Sequence, residues 1–256
     1  MRLLIRLKAL KDCAYEMKYH AKMQGFFYNL LRDAGLDTLH DKKGYKFFCF
    51  SNIYPIAAMN SGDSRNLLFS SPDEKIIKAV HAEIEMLKEK AAPANIGDMS
   101  FAVTGTSIIK PKLSGGATII AATPITIRIP ERNYDLYGIP QGERKKNYAY
   151  WRPSIDFSAF VKQLNENLFK KYNEYYGAEI DEFPVFEQYR YKKPAASYII
   201  EGGKEYQVAG SIWEFSFPYM SEEQRKLLEF GIDCGFGERN SLGFGFVNVM
   251  KFIGNA

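Results

Sequence analysis

Residues 71–87, SPDEKIIKAVHAEIEML, decide the fold class, because they predict a helix whose start is marked by capping residues. Ser71 fits the N-cap, Pro72 the first helical position and Glu74 the acidic position of a capping box. The apolar residues that follow recur at helical spacing along one face: Ile76, Ile77, Val80, Ile84 and Leu87. Such a stripe is typical of a helix that packs on a sheet.

Strand patterns lie on both sides of this helix. The elements predicted before and after it are strands at residues 2–8, 46–51, 66–70 and 101–109 and a helix at residues 23–31. In the first strand Leu3, Ile5 and Leu7 lie on one face and Arg2, Arg6 and Lys8 on the other, with Leu4 as the one exception, so one face is apolar and the other is basic. The order of elements in this half is therefore β-α-β-β-α-β.

The rest of the chain repeats this order after a break at Ser114-Gly115-Gly116. Strands are predicted at residues 125–129, 197–201, 204–209, 213–217 and 244–250, helices at 157–168 and 221–232, and a hairpin turn at Gly202-Gly203. The predicted fold class is α+β, with two tandem ferredoxin-like (RRM-like) domains and antiparallel sheets. The predicted domains are residues 1–113 and residues 118–256.

Composition narrows the class of protein. Cys13, Cys49 and Cys234 are an odd number without zinc-ligand spacing, so neither a disulfide framework nor a zinc site is predicted. Basic residues interrupt the apolar N-terminus before a signal peptide or membrane span can form, which predicts a cytoplasmic protein without a membrane segment. Residues 1–50 have twice as many Lys and Arg residues as Asp and Glu residues, so a polyanion-binding face is expected to draw on them.

Four glycines lie between the last predicted helix and the last strand, in the segment GFGERNSLGFGFV at residues 235–247. Glycine lets backbone N–H groups approach a phosphate closely, but it also suits a helix C-terminus and a tight entry into a strand. A dinucleotide fingerprint is excluded because Asn240 stands where its third glycine belongs, and a P-loop is excluded because no Gly-Lys-Ser/Thr follows. The spacing alone leaves phosphate contact and a purely structural turn both open.

A helix that runs into this segment resembles the glycine-rich loop of the RAMP superfamily of CRISPR-associated proteins, and within it the repeat-processing endoribonucleases of the Cas6 family. Three segments near the start are similar to that family's first strand, first helix, catalytic histidine loop and second strand: MRLLIRL (1–7), QGFFYNLLRDAG (24–35) and LHDKKGYKFFCFS (39–51). The specific resemblance covers residues 1–51 and 231–249, and the middle of the chain matches in the order of its elements.

The resemblance implies an endoribonuclease that cuts CRISPR precursor transcripts within the repeat, with no metal ion or other cofactor. The family's cooperating tyrosine, histidine and lysine map to Tyr28, His40 and Lys46. Three neighbours are close enough to replace Lys46: Lys42, Lys43 and Tyr45. The alternative that the superfamily suggests is a non-catalytic protein that binds guide RNA as a subunit of a CRISPR interference complex.

The chemistry of RNA suits these residue types. Attack of a 2′-hydroxyl on the adjacent phosphate gives a 2′,3′-cyclic phosphate and a 5′-hydroxyl, and it needs proton transfer and charge stabilisation. Histidine suits the proton step because its unperturbed pKa is about 6.5. Lysine can stabilise the charge that develops on phosphorus oxygens, and a tyrosine hydroxyl can orient the nucleophile. Whether His40 is the acid or the base stays open.

Helical geometry predicts different surroundings for Tyr28 and for the histidines His20 and His81. Tyr28 lies roughly 130° from the centre of its helix's apolar stripe, so it is not expected on the face that packs into the core. His20 lies roughly 50° from that centre and is expected to be partly buried, whereas His81 is expected at a solvated helix edge.

Further RNA contacts are predicted at basic and glycine residues. By the resemblance, the glycine-rich segment contributes Gly235, Gly237, Arg239, Gly243 and Gly245. Two patches in which aromatic and basic residues alternate contribute Arg144, Lys145, Lys146, Arg190 and Lys192. The expected partners are CRISPR repeat RNA and other CRISPR-associated proteins, with a homodimer as a further option. The repeat recognised and the position of the cut are left open.

Overall fold

The computed structural model describes residues 1–15, 19–41, 43–201 and 204–251, without the side chains of residues 40, 200, 201, 204 and 251. The chain divides into two compact units. The first comprises Met1–Pro111, Tyr198–Tyr206 and Asn240–Gly243, and the second comprises Lys112–Ser197, Gln207–Arg239 and Phe244–Ala256. The main division therefore falls between Pro111 and Lys112, and two later segments group with the first unit.

The first unit contains a five-stranded sheet with helices between its strands. Its elements are β1 (Arg2–Ala9), α1 (His20–Asp33), α2 (Thr38–Asp41), β2 (Cys49–Phe50), β3 (Ser64–Ser70), α3 (Glu74–Glu89), β4 (Ala94–Ile96) and β5 (Met99–Ile109). The strand order is β2-β3-β1-β5-β4, and β1 is antiparallel to both of its neighbours. Without the edge strand β4, this is the ferredoxin-like order.

The second unit contains a four-stranded sheet and a separate two-stranded sheet. Its elements are β6 (Ala117–Ala121), β7 (Arg128–Pro130), β8 (Tyr148–Tyr150), α4 (Phe157–Tyr176), β9 (Gln188–Glu201), β10 (Lys204–Phe217), α5 (Glu222–Cys234) and β11 (Val247–Lys251). The larger sheet has the order β11-β6-β10-β9, and β7 pairs with β8. This is the ferredoxin-like order again, so the predicted fold class is confirmed.

The first strand of the second unit was predicted in the wrong place. The central strand is Ala117–Ala121, which pairs antiparallel with both β10 and β11. Residues 125–129 were predicted as this strand from their alternation, but they supply isolated bridges and then the start of β7, which pairs with β8 in a separate two-stranded sheet. The short run Ala-Thr-Ile-Ile-Ala is mostly buried and lacks the alternation that marks a half-buried strand.

Helix α3 begins later than its predicted capping box. Its N-cap is Asp73, whose carboxylate accepts a hydrogen bond from the Lys75 N–H. Ser71 was predicted as the N-cap; instead its hydroxyl oxygen accepts from the Asp73 N–H and its O–H donates to the Phe47 carbonyl. The predicted stripe is confirmed at four buried residues of this helix, Ile76, Ile77, Val80 and Ile84.

Other predicted elements are confirmed with shifted ends. Helix α5 is capped by Ser221, whose hydroxyl accepts from the Gln224 N–H. Trp213, Phe215 and Phe217 alternate into the core as predicted. Strands β9 and β10 are longer than predicted, and the predicted turn at Gly202-Gly203 lies outside the described residues.

The core of the first unit fixes the position of α1. Leu3, Ile5 and Leu7 are buried against the helices, as their alternation predicted. The ring of Phe27 on α1 lies 4.7 Å from that of Phe69 on β3, centroid to centroid. Burial of one such side chain stabilises the fold by about 1.5–3 kcal/mol, so α1 is held tightly on the sheet. Within the described residues, no helix is long and apolar enough to cross a membrane.

Candidate functional site

Tyr28 and Lys46 are brought together in the first unit. Tyr28 is half-buried on α1, and its ring packs edge-on against Phe48 at 5.7 Å. The Lys46 ammonium lies over the Tyr28 ring, 5.0 Å from the ring centroid. A cation at this distance from an aromatic face is attracted by the ring's quadrupole. Two of the three predicted catalytic side chains therefore touch.

Lys46 lies in a loop rather than on the predicted strand. Residues 46–51 were predicted to be extended, but β2 begins only at Cys49. Gly44 and Phe47 both have positive φ, at 91° and 52°, so the chain turns sharply on either side of Lys46. The Ser71 hydroxyl donates a 2.7 Å hydrogen bond to the Phe47 carbonyl. This bond helps to hold a residue conformation that is rare outside glycine.

His40 was predicted in a loop, but its backbone lies on the four-residue helix α2. Its side chain lies outside the described part of the structure, as does the whole of Lys42. Of the other neighbours, Lys43 is exposed and Tyr45 packs against Phe47 at 5.9 Å. The catalytic role of His40 therefore stays a prediction.

His20 was predicted to be partly buried, and the structure buries it more fully. Its ring stacks on Tyr19 at 5.0 Å, and its Nδ1 lies 3.3 Å from the Leu242 carbonyl oxygen. Since a carbonyl only accepts hydrogen bonds, Nδ1 must carry the proton in this contact. Burial lowers the pKa of His20, and the bond to Leu242 opposes that effect. The neutral ring is therefore favoured.

His81 is only partly exposed, although a solvated edge was predicted. Its Nε2 lies 2.9 Å from the Thr106 hydroxyl oxygen and 3.8 Å from a Glu85 carboxylate oxygen. The Thr106 hydroxyl in turn donates to Glu85. His81 therefore joins α3 to the end of β5.

The glycines of the glycine-rich loop (residues 235–245) pack against the protein. Gly235, Gly237, Gly243 and Gly245 are all buried and all have positive φ. A Cβ at Gly237 would lie 2.6 Å from the Thr126 carbonyl oxygen, and one at Gly243 would lie 2.5 Å from the Phe50 ring. Glycine is thus required at both positions by close packing as well as by φ. The predicted contact of these glycines with RNA stays a prediction.

The partly exposed tip of the loop follows Gly237 and starts at Glu238. The Glu238 N–H donates to the Thr126 carbonyl at 2.9 Å, and its carboxylate accepts from the backbone N–H of Arg128 at 2.9 Å. The same carboxylate forms an ion pair with the Arg128 guanidinium. The loop is therefore joined to β7 through both backbone and side chains.

Arg239 reaches a pair of tyrosines on β8. The Arg128 guanidinium lies 4.8 Å from the centroid of Tyr148, and the Tyr148 and Tyr150 rings meet edge to face at 5.4 Å. Burial raises the pKa of Tyr148, but hydrogen bonds with Tyr150 and Arg239 and the two arginine charges outweigh it and lower that pKa. Burial is also the main cause that raises the pKa of Tyr150 to about 12. This Arg–Tyr cluster (Arg128, Tyr148, Tyr150 and Arg239) is electropositive and half exposed.

Arg128 was not among the predicted RNA contacts. It is the basic residue between Ile127 and Ile129, on the polar face of an alternation that was interpreted only as a strand. Its proximity to Arg239 depends on β7 lying beside the glycine-rich loop. The alternation around Arg128 can be recognised in the sequence, but its neighbour in the cluster, Arg239, lies more than a hundred residues further along the chain.

The other predicted RNA contacts differ in whether their side chains already pair with acidic residues of the protein. Lys145 and Lys146 are exposed, whereas the Arg144 guanidinium forms a 2.8 Å ion pair with Asp135 and lies 5.8 Å from the Tyr134 ring centroid. On β9, Lys192 pairs with Glu214 at 2.7 Å, and the more exposed Arg190 lies 4.0 Å from it. Within the described ranges, no group of three or more His, Cys, Asp or Glu residues could hold a metal ion.

Two ferredoxin-like halves with a glycine-rich loop before the last strand define the architectural class of the chain. A solved structure described as "An RAMP protein binding different RNA substrates" has the same fold, with a TM-score of 0.69. It is 22% identical in sequence and covers 98% of this chain and 100% of its own.

Sequence relationships identify the family. The family model "CRISPR associated protein Cas6, C-terminal" matches residues 109–249. A CRISPR-associated endoribonuclease Cas6 from Haloferax mediterranei is 30% identical over 98% of this chain and 94% of its own length. CRISPR-associated endoribonuclease Cas6 2 from Methanocaldococcus jannaschii is 29% identical over 98% of this chain and 100% of its own length. The chain belongs to the Cas6 family of CRISPR-associated proteins.

Proposed function

We propose that this chain is an endoribonuclease that cleaves CRISPR precursor transcripts within the repeat, by attack of the RNA's own 2′-hydroxyl and without a metal ion. The observation that carries the proposal is the contact of the Lys46 ammonium with the Tyr28 ring. The segment that joins these residues contains α2 and therefore His40. The names of the relatives from Haloferax mediterranei and Methanocaldococcus jannaschii support the same reaction class.

Each of the three residues has a distinct role in this reaction. His40 transfers a proton, either from the attacking 2′-hydroxyl or to the leaving 5′-oxygen. The Lys46 ammonium donates hydrogen bonds to the phosphate oxygens as negative charge develops on them. Tyr28 orients the nucleophile, and its ring holds the Lys46 side chain in place. The products are a 2′,3′-cyclic phosphate and a 5′-hydroxyl.

The Arg–Tyr cluster is the place where the second unit meets the RNA in this proposal. Arg128, which is paired with Glu238, and Arg239, which hydrogen-bonds with Tyr148, bring two guanidinium groups to the cluster, and guanidinium groups suit contact with a phosphate. The half-exposed tyrosine rings suit stacking with unpaired bases. Lys145 and Lys146, which are exposed, and the glycine-rich loop extend the contact. The protein acts in the cytoplasm, with other CRISPR-associated proteins as further partners.

The test uses purified full-length protein and a synthetic repeat RNA in the presence of a chelator. The proposal predicts one discrete cut, with a 2′,3′-cyclic phosphate on one product and a 5′-hydroxyl on the other. A matched RNA with a single 2′-deoxy substitution just upstream of the cut should bind with unchanged affinity and remain intact, because it lacks the nucleophile.

Two outcomes contradict the proposal. Cleavage of the deoxy RNA, or a strict need for magnesium, would rule out the mechanism. Tight binding of the repeat without any cut would rule out the nuclease and favour the non-catalytic guide-RNA-binding subunit.

A further inference from the structure

Lys171 on α4 is buried beneath the glycine-rich loop. Its side chain is 1% exposed, and every other large side chain that is buried this completely among the described residues is phenylalanine or tryptophan. Its ammonium donates hydrogen bonds to two loop carbonyls, that of Gly235 at 2.5 Å and that of Gly237 at 2.9 Å. A charged side chain in the core is thus aimed at the backbone of this loop.

A buried lysine is a costly way to fill space. Removing an ammonium group from water is unfavourable, and the bonds it makes inside the protein often do no more than offset that cost. A methionine of similar length would avoid this penalty, but it would not donate to the Gly235 and Gly237 carbonyls. The hydrogen bonds of Lys171 therefore matter mainly for the loop backbone that they hold in position.

Those bonds fix the path of the loop from two sides of one residue. Gly235 and Gly237 flank Phe236, whose ring packs against Phe186 and Phe215 in the core of the second unit. Both glycines have positive φ, at 88° and 67°, which lets their carbonyls turn toward the same ammonium. The apolar ring and the ammonium together leave the backbone little freedom.

The anchored backbone leads directly to the Arg–Tyr cluster. Glu238 follows the second anchored carbonyl and is bonded to Thr126 and Arg128, and Arg239 comes next. A shift of the Gly237 carbonyl would move these residues, because only one peptide separates it from Glu238. Because Lys171 is buried and bonds to the loop carbonyls, its effect on RNA is expected to pass through the loop.

We propose that Lys171 is a positioning residue that holds the glycine-rich loop in the conformation that presents Arg239 to the RNA backbone. The inference depends on the proposed function for its ligand, which is the repeat RNA. It concerns binding of RNA and leaves the chemistry at Tyr28, His40 and Lys46 unchanged.

The experiment measures binding and cleavage separately. Binding is measured with the 2′-deoxy repeat RNA, and cleavage is measured in single turnovers with saturating enzyme. Lys171→Met should weaken binding about tenfold or more while the saturated cleavage rate stays within about twofold of wild type. Lys171→Gln keeps two N–H donors without the charge and should recover part of the affinity. Lys170→Met is the matched control, because Lys170 is the exposed neighbour that pairs with Glu166 at 3.2 Å.

A double-mutant cycle with Arg239→Gln separates positioning from general destabilisation. If Lys171 acts through Arg239, Lys171→Met should weaken binding much less in the Arg239→Gln background than in wild type. Additive losses, or normal binding by folded Lys171→Met, would overturn the proposal. If circular dichroism shows that Lys171→Met is unfolded, the cycle is run with Lys171→Gln, and failure of both variants to fold would equally overturn it. Failure of wild type to cut the RNA would count against the nuclease alone, since binding is measured without cleavage.

Discussion

The loop at residues 43–48 and the glycine-rich loop both lead from a helix into a strand, yet their backbones differ in how much room they have. In both, a side chain donates to a loop carbonyl: Ser71 to that of Phe47 in the first loop, and Lys171 to those of Gly235 and Gly237 in the second. The first loop presents the Lys46 side chain, which lies over Tyr28, whereas in the second a Cβ at Gly237 or Gly243 would come within 2.6 Å of a neighbouring atom. The first loop leaves titratable side chains near the surface, whereas the second fixes the position of one cationic tip.

This difference teaches that glycine-rich does not mean exposed. The glycines were expected to let RNA approach the backbone, but a Cβ at Gly237 would meet Thr126 and one at Gly243 would meet Phe50. Substitutions of these glycines would therefore disturb the fold, so they cannot test RNA binding cleanly. Arg239 is the better probe of this loop because its side chain reaches the half-exposed cluster.

The largest expected effect is a loss of cleavage with little loss of RNA binding. His40→Ala should slow cleavage by about 10²- to 10⁴-fold, because it removes the proposed proton-transfer group. Affinity for the 2′-deoxy repeat RNA should change little. His81→Ala is the control, since His81 is engaged with Thr106 away from the proposed site. A His40→Ala enzyme that cuts at the wild-type rate would assign proton transfer to another residue.

The next effect tests which lysine serves the reaction. Lys46→Met should lower the single-turnover rate by roughly 10- to 100-fold, since it removes a donor to the charge that develops in the transition state. Lys43→Met should cost much less, because Lys43 is exposed and Lys46 is the residue that contacts Tyr28. The reverse order of the two rates would show that Lys43 takes the proposed role.

A pair of glycine substitutions tests how tightly the second loop is packed. Gly237→Ala and Gly177→Ala impose similar strain, since φ is +67° at Gly237 and +60° at Gly177. That strain costs about 1–3 kcal/mol. Only Gly237 adds a clash, because a Cβ at Gly177 meets no atom within 4 Å. The free energy of unfolding, measured in urea, should therefore fall more for Gly237→Ala, and equal losses would refute the packing argument.

The smallest effect is a pH dependence that belongs to the first unit. Burial lowers the pKa of His20 in the folded protein, so below about pH 6.5 the unfolded chain binds a proton that the folded chain resists. Stability is therefore complete above that pH and is lost as the pH falls toward the folded pKa, by at most about 1.4 kcal/mol per pH unit.

Thermal unfolding between pH 7.5 and 5 checks this expectation. His20→Asn should lose less stability on acidification than wild type, because it removes the group whose pKa burial lowers. Identical slopes for the two proteins would show that His20 does not contribute.

The sequence by itself determined the fold class and most of its elements. Alternation at Leu3, Ile5 and Leu7 and the stripe on α3 are local patterns. Each pattern fits one type of element with its apolar face buried, and the structure buries those faces. The sequence did not predict β6, because this short buried run lacks the apolar–polar alternation of a half-buried strand. It also misplaced the cap of α3, because Pro72 fits a helix start but the chain becomes helical only after Asp73.

Only the tertiary structure decided what the functional segments touch. Lys171 lies beyond the helix that was predicted at residues 157–168, and its partners lie more than sixty residues away in sequence. The contact of Lys46 with Tyr28 and the approach of Arg239 to Tyr148 are likewise long-range. Local periodicity reports which face of an element is buried, whereas the partner of a buried charge or a loop depends on how distant strands pair.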